Sequence, residues 1–307
     1  MPVPPQGRHP NPSGTEVRVN GKRKVSARAR YVLKENFVAT QAFFQSCGLH
    51  LTPVHYYYPI PNTEDLPDDL FTRIQTLAGI EMNGQGQRRY LQEVVIRYLA
   101  EFEPTTGKMM SQVDAFIYYC MIRHHKPAKV VEIGSGESTM VAASACLRNT
   151  EEGHPVELVA VEPFPSRQLK RGLPGLSRLI EKRIQDVDLS EILDCDLLFI
   201  DSTHVAMIGS DVLFEFSQVI PNLKAGALIH WHDIFLPKEY PRSFVFDMHM
   251  YWNEQYLLQC FLAFNNRYRV IWASNYMFET EGERCRDGFG ALATGDYPVS
   301  SFWVRKD

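Results

Sequence analysis

Two short stretches of the chain concentrate acid–base chemistry: Asp201-Ser202-Thr203-His204 and His230-Trp231-His232-Asp233. In extended backbone His230 and His232 share one face while Trp231 takes the other. An imidazole that titrates near neutrality is suited to take a proton from an acceptor hydroxyl, which makes Asp201, His204 and His232 catalytic candidates. Asp201, His232 and Asp233 also form a mixed nitrogen and oxygen donor set. That set suits manganese, iron or zinc more than magnesium. The third use is structural, with the imidazoles shaping a pocket by hydrogen bonds alone. Asn253 and Glu254 allow a similar choice: they bind acceptor hydroxyls, or they serve the start of a helix as cap and dipole partner.

A second constellation lies upstream, in Val130-Val131-Glu132-Ile133-Gly134-Ser135-Gly136-Glu137-Ser138-Thr139. Gly134 and Gly136 allow a tight turn and close backbone approach to a ligand. The next apolar run ends in Val161-Glu162-Pro163, where a carboxylate can accept both hydroxyls of a ribose. Asp186 follows the third run, at a place suited to an adenine edge. A dinucleotide loop would carry a third glycine where Thr139 stands, and Glu132 would repel a pyrophosphate. Beside a sulfonium and an ammonium group the same carboxylate is favourable. Charge therefore favours S-adenosylmethionine over NAD, with a non-catalytic nucleotide-binding protein as the remaining alternative class.

These residues need a frame that brings strand ends together. After Pro127 short apolar runs alternate with helical stretches: Lys129–Ile133, Glu157–Val161, Leu179–Ile184, Asp196–Ile200, Ala227–His230, Tyr268–Ala273 and Ser300–Val304 read as strands. Such alternation predicts an α/β fold whose parallel sheet is covered on both faces. In such sheets ligands bind beyond the carboxyl ends of the strands, where both constellations fall. Residues 28–125 read as a helical N-terminal cap, with helices over Gln87–Phe102 and Ser111–His125. Residues 1–27, rich in proline, glycine and basic side chains, read as a disordered tail. The loop Phe235–Pro241 is expected over the pocket, and Tyr56, Tyr57 and Tyr58 either roof it or pack at a junction.

Composition narrows the classes further. The 307 residues are 45% hydrophobic with a net charge of −4, which argues against a nucleic-acid partner. No apolar run is long enough for a membrane span. Six scattered cysteines without a CxxC pair, and no apolar signal core, fit a cytoplasmic protein. The expected partner is a small-molecule acceptor, with a homo-oligomer also compatible.

The segments VVEIGSGEST (130–139), VEPFPS (161–166), QDVDL (185–189), DLLFIDSTHV (196–205), IHWHDIFLPKEYP (229–241) and WNEQYLLQCFL (252–262) together resemble the class I S-adenosylmethionine-dependent methyltransferases, and within them the bacterial family-24 group. HYYYPIP (55–61) is similar to an upstream element of that group. The resemblance covers residues 126–307 and implies a Rossmann-like sheet of seven strands, the last antiparallel. It implies that Glu132, Gly134, Ser135, Gly136 and Ser138 line the cofactor, that Glu162 holds its ribose, and that Asp186 lies near its adenine. Asp201 would stand at the reacting centre. O-methylation of a sugar or natural-product hydroxyl is the expected reaction, metal-assisted or not, with N- or C-methylation of a small metabolite as the alternative.

Overall fold

The computed structural model describes residues 41, 43–52, 54, 58–105, 110–295 and 297–307. The expectations for the tail 1–27, for residues 28–40 of the helical cap, and for Tyr56 and Tyr57 lie outside these residues. The chain divides into two units, Met1–Asp65 and Leu66–Asp307. In the first, the Phe43 and Phe44 rings meet edge to face at 5.6 Å, and a 3-10 turn, Thr63–Asp65, is tied by Asn62 Nδ2 donating to Asp65 at 2.8 Å.

The second unit is built on one seven-stranded sheet. Its strands are β1 (Lys129–Ile133), β2 (Glu157–Val161), β3 (Arg178–Ile180), β4 (Leu197–Ile200), β5 (Leu228–Trp231), β6 (Tyr268–Ala273) and β7 (Phe302–Lys306), in the order β3-β2-β1-β4-β5-β7-β6. The pairs among β1 to β5 are parallel, and β7 runs antiparallel between β5 and β6. Strands β1, β2, β4 and β5 are almost wholly buried because helices cover both faces, which explains their continuous apolar runs. The strand order reverses between β1 and β4, so their carboxyl ends open a crevice there.

The helices are α1 (Gly84–Tyr90, running on through a π segment, Leu91–Val95, to Ile96–Tyr98), α2 (Gln112–His125), α3 (Glu137–Glu151), α4 (Arg167–Lys170), α5 (Asp211–Phe214, continued by a π segment, Glu215–Val219), α6 (Arg242–Phe246), α7 (Glu254–Leu262), α8 (Ser274–Thr280) and α9 (Gly282–Phe289). Ser111 caps α2 by accepting from the Asp114 N–H at 3.0 Å, an interaction worth about 1 kcal/mol. From Val113 to Arg123 every residue of α2 is buried, so it is a core helix and not a surface one.

That burial sets residues on both sides of the expected 125/126 boundary in one core. The core that holds Tyr90, Leu91 and Val94 of α1 and Phe116 and Tyr118 of α2 also holds Val130 of β1 and Phe199 of β4. Both helices therefore belong to the sheet's own body, and the chain divides at 65/66 instead. The third strand stops at Ile180, and Ile184–Asp186 forms a 3-10 turn. No helix among the described residues is long and apolar enough to cross a membrane.

Candidate active site

At the crest of β1 the Gly134 N–H donates to Val161 O at 3.0 Å while φ turns to +81°. A Cβ at Gly134 would stand 1.9 Å from the carbonyl oxygen of Asp201, so glycine is required by both conformation and space. Glu162, at the crest of β2, accepts from the Ser135 N–H at 3.2 Å and the Phe164 N–H at 2.8 Å. One oxygen takes each bond, leaving lone pairs on both for a ligand. Around these residues lies a cleft of about 380 Å³, lined among others by Gly134, Glu162, Phe164, Ile184, Gln185 and Asp201.

Other expected cofactor residues stand behind this surface. Glu132 is fully buried and is not among the residues that line the cleft. Its Oε1 accepts from the Tyr118 hydroxyl at 3.1 Å, and its Oε2 has no partner. Burial pushes its carboxyl up to about 7 against the hydroxyls of Thr139, Tyr118 and Ser138. Ser138 is buried as well and is not among the cleft's lining residues. Ser135 contributes its backbone N–H, while its buried hydroxyl is unpartnered. The Gly136 N–H donates to Thr139 Oγ1 at 3.1 Å, so a donor at the start of α3 that a pyrophosphate would use is already engaged. Asp186 does not line the cleft. Its carboxylate pairs with Arg183 at 2.8 Å, and the wall there is Ile184 and Gln185.

The second constellation gathers at the crests of β4 and β5. His204 Nε2 lies 3.3 Å from Asp201 Oδ1 and 3.6 Å from Asp233 Oδ2, and Nδ1 lies 2.9 Å from Glu254 Oε2. His204 and Asp233 hold left-handed backbone, φ 60° and 54°, the kind of strain that persists where surroundings over-determine it. The start of α7 supplies the restraint: the Asn253 and Glu254 N–H groups donate to His204 O at 3.1 and 3.2 Å, and Asn253 Oδ1 accepts from the Ala206 N–H at 2.6 Å. The Trp252 ring lies 4.4 Å from the imidazole of His204. Of this group Asp201 alone reaches the cleft, its side chain 34% exposed against 7% for His204.

Burial pulls the His204 pKa down, but Asp201, Glu254 and Asp233 outweigh it and hold the ring protonated well above its ordinary range. Both nitrogens face carboxylates, so the expected role of His204 as base gives way to that of a buried cation. Asp201 is kept below the usual carboxylate range: burial raises it, and His232 and His204 more than offset that. Glu215, on the π segment after α5, accepts from Ser202 Oγ at 3.3 Å and is pushed well up by burial.

His232 is buried, and neither ring nitrogen has a hydrogen-bond partner. Its Nε2 lies 3.8 Å from Asp233 Oδ1. Among the described residues, the ligand atoms that come within 4.8 Å of one another belong to Asp201, His204 and Asp233, with His204 where His232 was expected. Sequence reasoning gave no site role to Glu215 and only a choice of roles to Glu254. For Glu254 the signal was an acid opening the helix that follows the strand ends; Glu215, inside a helical run, carried none. Phe235, Leu236 and Tyr240 of the expected loop are buried.

Residues 131–234 match the family-24 methyltransferase model, described as a methyltransferase domain. An uncharacterized protein of Archaeoglobus fulgidus is 31% identical over 163 residues, which is 47% of this chain and 72% of that protein. Among solved structures, the S-adenosylhomocysteine-bound methyltransferase PaMTH1 of Podospora anserina is similar at a TM-score of 0.44 and 17% identity, over 74% of this chain and 98% of that one. The O-methyltransferase TomG of Streptomyces achromogenes is similar at 0.39 and 12%, over 74% and 91%.

Proposed function

The chain belongs to the class I S-adenosylmethionine-dependent methyltransferases, in the family-24 group, and on that basis we propose that it methylates a hydroxyl of a small acceptor, a sugar or natural product. The observation that carries this reading is the position of Asp201. It lines the cleft with Gly134 and Glu162 and stands 3.3 Å from His204, so donor side and acid–imidazole group share one residue.

Two features fit the donor. Gly134 leaves a cradle that a Cβ would fill, and Glu132 keeps an unpartnered oxygen beneath the loop. When bound, S-adenosylmethionine supplies a methyl group on a positively charged sulfur. Glu162 accepts the ribose hydroxyls, and Ile184 and Gln185 wall the adenine side. Asp201 accepts a hydrogen bond from the acceptor hydroxyl and fixes its direction, and the protonated His204 keeps Asp201 ionised. Asp201, which lines the cleft, takes the proton as the acceptor oxygen is methylated. Holding the reactants in line accounts for much of the rate.

A divalent ion is a second reading, favoured by the Asp201, His204 and Asp233 atoms that converge within 4.8 Å. Those residues would hold the ion once His204 gave up its Nε2 proton, and the ion would lower the acceptor's pKa. The protein's place in the cytoplasm and in natural-product or polysaccharide synthesis belongs to the same proposal.

The test is calorimetry with S-adenosylhomocysteine, then methyl-labelled donor against a panel of sugars, phenols and amines, with and without Mn²⁺. Label on oxygen is expected. Binding heat with label only on nitrogen or carbon would overturn the hydroxyl reading, and His232→Ala should cut turnover while donor affinity stays.

A further inference from the structure

We infer that Asp114 is a positioning residue for the acid–imidazole group: it fixes Ser300, Ser300 fixes Asp233, and Asp233 steadies the imidazole of His204. The inference rests on the function proposed above for its catalytic meaning and adds the residues that hold the group in place.

Asp114 lies in the first turn of α2 and is wholly buried. Its Oδ1 accepts from the Ser274 hydroxyl at 2.6 Å and the Ser301 N–H at 3.1 Å. Its Oδ2 accepts from the Ser111 hydroxyl and the Ser300 N–H, both at 2.7 Å. The two hydroxyls accept bonds of their own, Ser111 from the Asp114 N–H and Ser274 from Trp272 Nε1 at 2.8 Å. Their protons therefore turn to the carboxylate. Four bonds use up its acceptor sites and hold it in one orientation. Capping α2 explains only the bond to Ser111; the other three reach 160 or more residues along the chain.

Ser300 and Ser301 stand just ahead of β7, and their carbonyls are engaged as well. Ser300 O accepts from the Ile234 N–H at 2.9 Å, and Ser301 O from the Ser274 N–H at 2.8 Å. With all four backbone groups bonded, the two side chains have fixed targets. Ser300 Oγ donates to Asp233 Oδ1 at 3.1 Å, and Ser301 Oγ lies 3.0 Å from His230 Nε2. Ser300 thus grips the crest of β5 twice, at the Ile234 N–H and at the Asp233 carboxylate. That grip accounts for the left-handed φ of 54° that Asp233 keeps. The second oxygen of Asp233 then lies 3.6 Å from His204 Nε2. Side chains locked in this way hold a reacting group in its working geometry. Asp114, Ser300 and Ser301 are not among the cleft's lining residues, so they reach the chemistry only through Asp233 and His230.

The test is long-range proton–nitrogen NMR on the full chain with isotope-labelled histidine. The His204 and His230 ring signals are assigned by their loss in His204→Gln and His230→Gln. Ser300→Ala should move the His204 signals and leave those of His230 in place, and Ser301→Ala should do the reverse. Asp114→Asn, which sets an amide against a backbone N–H, should move both. Where that variant does not fold, Ser274→Ala takes one bond from Asp114 and none from Asp233 or His230; it too should move both rings. Unmoved His204 signals in Ser300→Ala, or both rings moved alike by either serine variant, overturn the relay. Unmoved rings in Ser274→Ala and in a folded Asp114→Asn overturn the part given to Asp114. With methyl-labelled donor and an acceptor labelled in the panel above, Ser300→Ala should lower kcat about three- to tenfold. S-adenosylhomocysteine affinity, read by calorimetry, should stay. An unchanged kcat, or a loss confined to donor affinity, overturns the positioning role. No label on any acceptor with the parent chain counts against the proposed function alone, and the NMR result still decides the relay.

Discussion

The crests of β1 and β2 and the crests of β4 and β5 stand side by side on one sheet yet are built by opposite means. The first is made of backbone: a left-handed Gly134, amide groups of Ser135 and Phe164, and one carboxylate that they orient. The second is made of buried side chains, an imidazolium among Asp201, Asp233 and Glu254, locked by a helix that begins 50 residues later in sequence. Backbone amides bind without bringing charge that needs neutralising. A buried charged cluster holds only while every partner is present.

The contrast can be broken most sharply at Gly134. Gly134→Ala should cost about 5 kcal/mol or abolish folding, because the new Cβ meets the Asp201 carbonyl and not a flexible side chain. Denaturant unfolding checks this, and a variant within about 1 kcal/mol of the parent would mean that the loop can relax. On the other side, His204→Leu removes the cation from three carboxylates and should cost about 3–4 kcal/mol in the same assay; a neutral outcome would mean that those acids are protonated already.

Glu132→Gln should act in the opposite direction. The folded carboxyl titrates near 7 against about 4.5 unfolded, so its contribution is complete below pH 4.5 and is lost as pH rises through 7. The ligand-free variant should therefore exceed the parent by about 2–3 kcal/mol at pH 8 and match it near pH 4.5. Equal stability at pH 8 would place the carboxylate in a more polar setting. Glu162→Ala should leave folding intact and weaken S-adenosylhomocysteine by about ten- to hundredfold, as read by calorimetry. The smallest effect is expected at Asn253→Ala, about 1 kcal/mol from the lost bond to the Ala206 N–H.

The same contrast explains how much could be read from residues alone. Strand runs, their alternation with helices and the Gly134 turn are local signals, and the structure carries all seven strands with the last antiparallel. β3 came out short because Lys182 and Arg183 interrupt its apolar run before Ile184. Helices α8 and α9 went unread, since Ser274–Phe289 mixes polar and aromatic residues without a continuous apolar stripe. Gly134 and Glu162 line the cleft, a placement that follows from strand ends. The places of Ser138, Asp186 and His204 were not legible, because each depends on a neighbour: Glu132, Arg183 and Glu254. Spacing along the chain carries no record of a partner 50 residues away.

Asp201 uses its two halves for two purposes: its carbonyl abuts the Gly134 turn, and its carboxylate faces His204. Exchange of the side chain leaves that carbonyl in place but removes the carboxylate from both the cleft wall and the imidazole of His204. In laboratory evolution toward new acceptors, residue 201 should stay frozen while changes accumulate on the neighbouring rim at Thr203, Met207 and Phe164, which shape the entrance without bearing on the hinge between the two chemistries.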